Sequence, residues 1–414
     1  MTDAATSPVS GCPEFDPFDH HRDDPYPYFT LLRDHHPVTP SALLGGAYLV
    51  TRYDDIERIA ADPETFSSVG SLPVPAASNP PEVVAALPEF AVAEGVASGV
   101  EVDAPRHTRM RSTFLRAYRG PRMSALAPDI ERYAEALLDA VADQGRTDLA
   151  VTYAHPLAEW TQNKLMGVPE EAYPQFEGWA HAMAAILTPT VAVEDKLASA
   201  RRLHEYEAWA VDWRDQRRAA PADDVFSTFA AGEPEHGAEP LRDNEILYTA
   251  LLHWVAGYDT TRNAILSTLY LMLGHPELWA RATDARAAEA IAEEALRIDA
   301  PHRGLMRVTT KPITIQGVDL PAGTPLLLMF GSANRDERTF PEPDACAFDR
   351  PNAKQHLTFG AGDHRCPGAT MARYEIRTAA RVAATRLPGA QLDGTPQWRA
   401  DYFFRGLEEL RITW

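Results

Sequence analysis

The run Phe359-Gly360-Ala361-Gly362-Asp363-His364-Arg365-Cys366-Pro367-Gly368 gathers the most suggestive chemistry of the chain, and a helical stretch follows it at once. It puts the sulfur of Cys366 at the tip of a glycine-rich loop, just before a helix start. The glycines let backbone N–H groups approach that sulfur, and the helix N-terminus adds partial positive charge, so the position favours a thiolate. No second cysteine lies nearby. A four-ligand zinc or iron–sulfur site is therefore excluded, whereas a single thiolate is what one axial position of a haem requires. The aromatic Phe359, polar His364 and cationic Arg365 suit a flat macrocycle carrying propionates; the alternative is a packed cysteine in a loop.

A second candidate is Ala256-Gly257-Tyr258-Asp259-Thr260-Thr261, in the middle of a predicted long helix. Gly costs about 1 kcal/mol against Ala in a helix interior, and Thr hydroxyls compete for backbone carbonyls, so the segment is intrinsically weak. It reads as a mildly kinked structural helix or as a groove where a small molecule approaches the backbone beside a hydroxyl and a carboxylate that pass protons. Glu294-Ala295-Leu296-Arg297 sets a carboxylate and a guanidinium at i and i+3, a commonplace helical pair. Arg106, Arg109, Arg111, Arg116, Arg119 and Arg122 occur with no acid among them, as a solvated face, anion contacts or a docking patch.

The cysteine run resembles the haem-binding signature of the cytochrome P450 family, Phe-x-x-Gly-x-His-x-Cys-x-Gly, with every fixed position present. The resemblance extends from about Asp24 to the C-terminus. It implies heme b (iron protoporphyrin IX) as cofactor, Cys366 as its metal ligand, and Phe359, Gly360, His364 and Gly368 as cofactor-binding neighbours. The segment around Gly257 is similar to the family's Ala-Gly-x-Asp-Thr-Thr, where oxygen binds. By that likeness Ala256 faces the haem, Thr260 hydrogen-bonds the bound dioxygen and Asp259 delivers protons. Glu294 and Arg297 resemble the family's Glu-x-x-Arg pair, which with a downstream arginine, Arg350, braces the cysteine loop. By position, His107 and Arg111 on one helical face, Arg307 and His364 match the propionate contacts. Leu252, Val255, Ala256, Arg303 within His302–Met306, Phe403 and Phe404 match pocket segments. The phenylalanines suit a flat substrate or are simply core. Arg303 meets a substrate carboxylate or carbonyl, or turns to a surface acid.

These groups need a scaffold, and apolar spacing gives helices at Pro25–Asp34 and Asp54–Ala61 around a strand at Ala47–Arg52. Prolines make Leu72–Gly99 a long irregular segment. Helical pattern covers Pro105–Arg218, broken near Val168–Pro169 and Thr188–Thr190; longer helices are expected at Asp243–Leu273 and Ala285–Ile298. Strands at Val308–Ile315 and Leu326–Met329 flank a turn at Asp319–Gly323, and the cysteine loop opens a last helix toward Leu387. The fold class is mostly α with small β-sheets, and the resemblance implies the single-domain cytochrome P450 fold over 24–414, behind a flexible acidic segment, 1–23.

The chain has 414 residues and 45% apolar content, enough for a large core, and no internal repeat. Three scattered cysteines make a disulfide framework improbable, and no apolar run near the N-terminus reads as a signal peptide or membrane helix; a cytoplasmic protein is expected. The net charge of −20 argues against nucleic acid as partner. No flavin domain and no dinucleotide fingerprint is evident, so electrons come from other proteins, by resemblance a ferredoxin and its NAD(P)H-dependent reductase. Its docking is expected near Arg109, Arg111 or Arg365 of a monomer. The implied activity is a monooxygenase that hydroxylates, O-demethylates or epoxidises a small aromatic or polycyclic molecule in secondary metabolism or catabolism. Alternatives are an oxidase joining aromatic rings through C–C or C–N bonds, separable by labelled-dioxygen incorporation, and, distantly, a non-enzymatic haem sensor.

Overall fold

The computed structural model describes residues 14–72, 75–188, 190–231 and 239–414. They form a mostly helical structure with small sheets, and packing divides it into two compact units. One unit comprises the described residues up to Ser68, Glu131–His155 and Thr260–Trp414; the other is Val69–Ile130 with Pro156–Asp259.

The first unit contains a five-stranded sheet. Val38–Ser41 pairs antiparallel with Ala47–Val50, which runs parallel to Pro325–Leu328; Leu305–Thr309 and Phe66–Ser67 complete it. The strands alternate as a sheet with two covered faces must. Val50, Leu326 and Leu328 join Ile56, Ile59, Phe66 and Leu357 on one face, while Leu49 and Leu327 meet Phe15, Phe29 and Leu32 on the other. Leu357 immediately precedes the cysteine loop, so the first of these cores anchors that loop. The helix Ala285–Ile298 starts where Asp284 accepts the backbone N–H groups of Arg286 and Ala287 at 3.1 and 2.9 Å, an N-cap that satisfies otherwise orphaned donors. The helix Ala369–Arg386 packs against it.

In the second unit the helix Arg106–Ala117 packs on Val225–Ala231, and Val193–Ala219 packs on Tyr173–Leu187. The long helix spans Asp243–Leu273, as the periodicity predicts. Its Trp254 is fully buried and donates to Asn163 at 2.7 Å.

Several expectations are corrected. Leu72–Gly99 is not wholly irregular: prolines that forbid one long helix start short ones at Pro75–Ser78 and Pro81–Ala86, and another turn follows at Glu89–Val92. The expected strand Val308–Ile315 is split. Leu305–Thr309 belongs to the large sheet, and Ile313–Ile315 turns back on Val318–Leu320 through Gln316 and Gly317, at φ +51° and +79°. Asp319 is thus in a strand rather than a turn. Part of the segment expected to be flexible is packed, since Phe15 is 1% exposed against Tyr28, Phe29 and Tyr402. The remainder of that segment, 1–13, lies outside the described residues.

Candidate functional site

The cysteine loop lies in the first unit and is shaped by backbone geometry. The Gly360 N–H donates to the Leu357 carbonyl and the Cys366 N–H to the Phe359 carbonyl, each at 2.8 Å. Gly360 and Gly362 are at φ +71° and +65°, where side chains are strained. Gly362 has a second constraint: a Cβ there would lie 2.1 Å from the Ala60 carbonyl oxygen. Leading into the loop, the Asn334 amide accepts the Leu357 N–H at 2.6 Å, and the Thr358 hydroxyl donates to the Leu296 carbonyl at 2.6 Å. The result is an exposed Cys366 on a loop whose entrance is fixed to the core.

Cys346 contrasts with it. Burial, with the Glu294 carboxylate nearby, pushes its thiol up to about 11, so it is no candidate thiolate. Among the described residues no group of three or more His, Cys, Asp or Glu is placed to hold a metal by itself. A single accessible sulfur on a rigid loop fits axial ligation of an iron that brings its own four-nitrogen macrocycle.

The Glu294 carboxylate is fully buried and receives a bidentate pair from Arg297, both at 2.8 Å, a third bond from Arg350 Nε at 3.0 Å and a fourth from the Ala347 N–H. Arg297 also donates to the Asn334 carbonyl at 2.8 Å. Asn334 in turn holds Leu357, so the ion cluster is continuous with the cysteine loop. The i, i+3 spacing is that of a surface pair, but burial makes this a fully satisfied ionic knot. In the same unit His364 Nε2 lies 3.0 Å from the Ser68 hydroxyl, and the buried Arg307 donates to the Met306 carbonyl at 2.8 Å.

On the long helix Ala256 is exposed, while Asp259 and Thr260 are half-buried. Gly257 serves close packing. A Cβ on it would sit 2.3 Å from Gln162 Oε1, and the Gln162 amide donates to the His253 carbonyl at 3.1 Å. His253 turns to Tyr118, 3.0 Å away, and burial holds its ring pKa down at about 4. Leu252 is buried and Val255 half-buried.

The arginine run is largely committed to ion pairs within the second unit. Arg106 and Arg109 both reach the fully buried Glu245 at 2.7 Å, and Arg119 and Arg122 share Asp223. Arg109, half-buried, also donates to the Pro240 carbonyl. His107 is buried and Arg111 half-buried on the same helix.

Arg303 turns neither to a surface acid nor to solvent. It is 2% exposed, its guanidinium lies 5.8 Å from the Phe15 ring, and its three nitrogens make no hydrogen bond within the described residues. Burial, with the Arg405 charge nearby, lowers its pKa to about 10. Phe403 packs on the same aromatic cluster, and Phe404 meets the His302 ring edge-on at 5.0 Å. Sequence reasoning missed Asn334 and Thr358, and also His356 and Arg373, which meet the Phe359 ring, and Glu293, which holds both. Asn334 is followed by a charged run, Arg335-Asp336-Glu337-Arg338, that does not set it apart, Thr358 is a lone hydroxyl between Leu357 and Phe359, and only the direct adjacency of Glu293 to Glu294 gives any signal.

The cytochrome P450 family model matches residues 212–380. The chain is 31% identical over 401 residues to nocardicin C N-oxygenase of Nocardia uniformis subsp. tsuyamanensis, covering 94% of this chain and 96% of that protein. It is 32% identical over 377 residues to mycinamicin IV hydroxylase/epoxidase of Micromonospora griseorubida, covering 89% of each. Among solved structures, cytochrome P450 CREJ in complex with (4-ethylphenyl) dihydrogen phosphate superposes with a TM-score of 0.86 at 28% identity, covering 97% of this chain and 99% of that one. The chain belongs to the cytochrome P450 family. It is an oxygenase with the P450 fold, and the cofactor of that fold is heme b. No helix among the described residues is long and apolar enough to cross a membrane.

Proposed function

We propose that this chain is a haem-thiolate monooxygenase that inserts oxygen into a small natural-product-like molecule, with electrons from a ferredoxin and its NAD(P)H-dependent reductase. The observation that carries the reading is the accessible Cys366 on a loop fixed through Leu357, Thr358 and Phe359. Cys366 would ligate the haem iron, His107, Arg111, Arg307 and His364 would hold the propionates, and Ala256, Phe359, Gly360 and Gly368 would line the macrocycle. Bound there, haem b supplies reductive activation of dioxygen.

The chain's own residues supply position and protons. Asp259 and Thr260 are half-buried neighbours on a helix, where a carboxylate and a hydroxyl relay protons from water without flooding the site. The Glu294 cluster keeps the cysteine loop in one geometry, which matters because a misplaced reacting centre loses rate steeply. Leu252, Val255, Ala256 and Phe404 remain pocket residues in this reading. Phe403, half-buried where it packs on the cluster around Phe15, remains with them, whereas Arg303, 2% exposed beside the Phe15 ring, leaves the pocket.

The relatives' names support a broad substrate class: one acts on nocardicin C, another on mycinamicin IV, and the solved neighbour holds an aryl phosphate. Docking of the ferredoxin falls to the exposed Arg365 and half-buried Arg111, in the cytoplasm. The test is turnover of spin-shifting ligands under labelled dioxygen with ferredoxin and reductase. One labelled oxygen in the product is expected; a coupled product with none overturns the monooxygenase reading in favour of oxidative coupling.

A further inference from the structure

Glu293 precedes the ionic knot by one residue, and its carboxylate, only 4% exposed, has a separate set of partners. The Arg373 guanidinium grips it through Nε at 2.9 Å and Nη2 at 2.7 Å, and His356 Nε2 lies 3.0 Å from Oε1. The His356 tautomer follows from its other nitrogen. Nδ1 accepts the Thr358 N–H at 3.2 Å, so the ring proton is on Nε2 and is donated to the carboxylate.

Both partners then meet one aromatic ring. The Arg373 guanidinium carbon lies 4.3 Å from the centre of Phe359, and the His356 ring centre lies 5.6 Å from it. Phe359 is the residue whose carbonyl accepts the Cys366 N–H at 2.8 Å. The path from Glu293 to Cys366 thus runs through two side chains, one ring and one backbone hydrogen bond, all within one compact unit. The cation over the ring adds polarisation to packing.

We propose that Glu293, acting through Arg373 and His356, is the positioning group for Phe359 and hence for the Cys366 ligand, a second carboxylate clamp distinct from the Glu294 knot. Glu294 fixes the approach to the loop; Glu293 fixes the orientation of the ring at its start. The proposal rests on the haem-thiolate reading of Cys366.

The experiment follows the thiolate and needs no turnover. The reduced carbon monoxide complex of the full chain is prepared for the parent and for Arg373→Gln, Arg373→Lys, His356→Gln and Phe359→Leu, and the loss of the strongly red-shifted Soret band is timed. Breaking one partner of a buried ion pair is expected to speed that loss by roughly tenfold or more in Arg373→Gln. Arg373→Lys, which keeps the cation, restores most of the parental lifetime, and Phe359→Leu combined with Arg373→Gln is no worse than either alone, because both act through the same ring. Parental lifetimes in Arg373→Gln, or additive effects in the double variant, overturn the proposal. If Arg373→Gln takes up no haem, Arg373→Lys and His356→Gln decide the matter, parental lifetimes in both overturning it. A parent that never shows the red-shifted band overturns the haem-thiolate reading instead.

Discussion

Gly362→Ala is the substitution whose cost the geometry defines most sharply. The residue is at φ +65°, where an L side chain costs roughly 1–2 kcal/mol. Its added methyl would also lie 2.1 Å from the Ala60 carbonyl oxygen and 2.9 Å from the carbonyl carbon. Backbone cannot yield as a flexible side chain can, and overpacking of this kind costs about 1–3 kcal/mol. The combined penalty is about 2–5 kcal/mol, borne by the loop that presents Cys366. Gly323→Ala is the control: φ is +83°, but nothing lies within 4 Å of its Cβ, so it carries strain alone. Thermal unfolding of the two holoproteins, followed by the Soret band, should show Gly362→Ala displaced about twice as far as Gly323→Ala or more. Gly362→Ala should also lose haem during purification. Equal displacements with full haem retention in both would refute the argument that the Ala60 carbonyl dictates glycine in the loop.

Other expectations concern charge and protons. Burial favours the protonated form of Glu293, but hydrogen bonds from His356 and Arg373, with the Arg373 charge, outweigh it and hold the carboxyl at about 2 against an ordinary 4.5. A depressed carboxyl stabilises the fold fully above about 4.5 and loses that contribution as pH falls toward 2. Glu293→Gln should therefore be less stable near neutrality and show a flatter acid limb; an unchanged acid limb in unfolding midpoint against pH contradicts this. Glu245→Gln, which leaves Arg106 and Arg109 without their buried acid, should cost about 3–5 kcal/mol in denaturant unfolding, far more than a surface substitution. Arg365→Glu should raise the ferredoxin concentration needed for half-maximal reduction without altering ligand-induced spin shifts, whereas Arg109→Ala should act chiefly on stability. Thr260→Ala should lower product formed per NAD(P)H consumed, with substrate affinity unchanged, as a product assay against cofactor consumption will show.

How far the sequence is legible depends on the range of the interactions involved. The long helix Asp243–Leu273 and the helix Ala285–Ile298 follow from local periodicity and caps, and the structure reproduces both boundaries. The Cys366 loop is legible because chemistry and backbone demand coincide in consecutive residues. Gly257 is different. From sequence it reads as a groove or a kink, but the Gln162 amide packs directly against it, a contact that no local signal announces. The arginine run is only partly legible for the same reason, because Glu245 and Asp223 lie more than a hundred residues away from Arg109 and Arg119: Arg109 turns out to pair with a buried acid, whereas Arg119 meets Asp223 at the surface. Arg303 inverts the usual rule that a guanidinium finds an acid or water. Its burial beside Phe15 depends on how the N-terminal segment folds back, which composition alone reads as flexible.

The central claim is that Cys366 binds the haem iron as a thiolate. Absorption spectra of the purified protein and of Cys366→Ser, each reduced with dithionite under carbon monoxide, test it most directly. The account predicts a strongly red-shifted Soret band in the parent that is absent from the variant. A parental band at the position of a histidine-ligated haem, or the same band in both proteins, would contradict it.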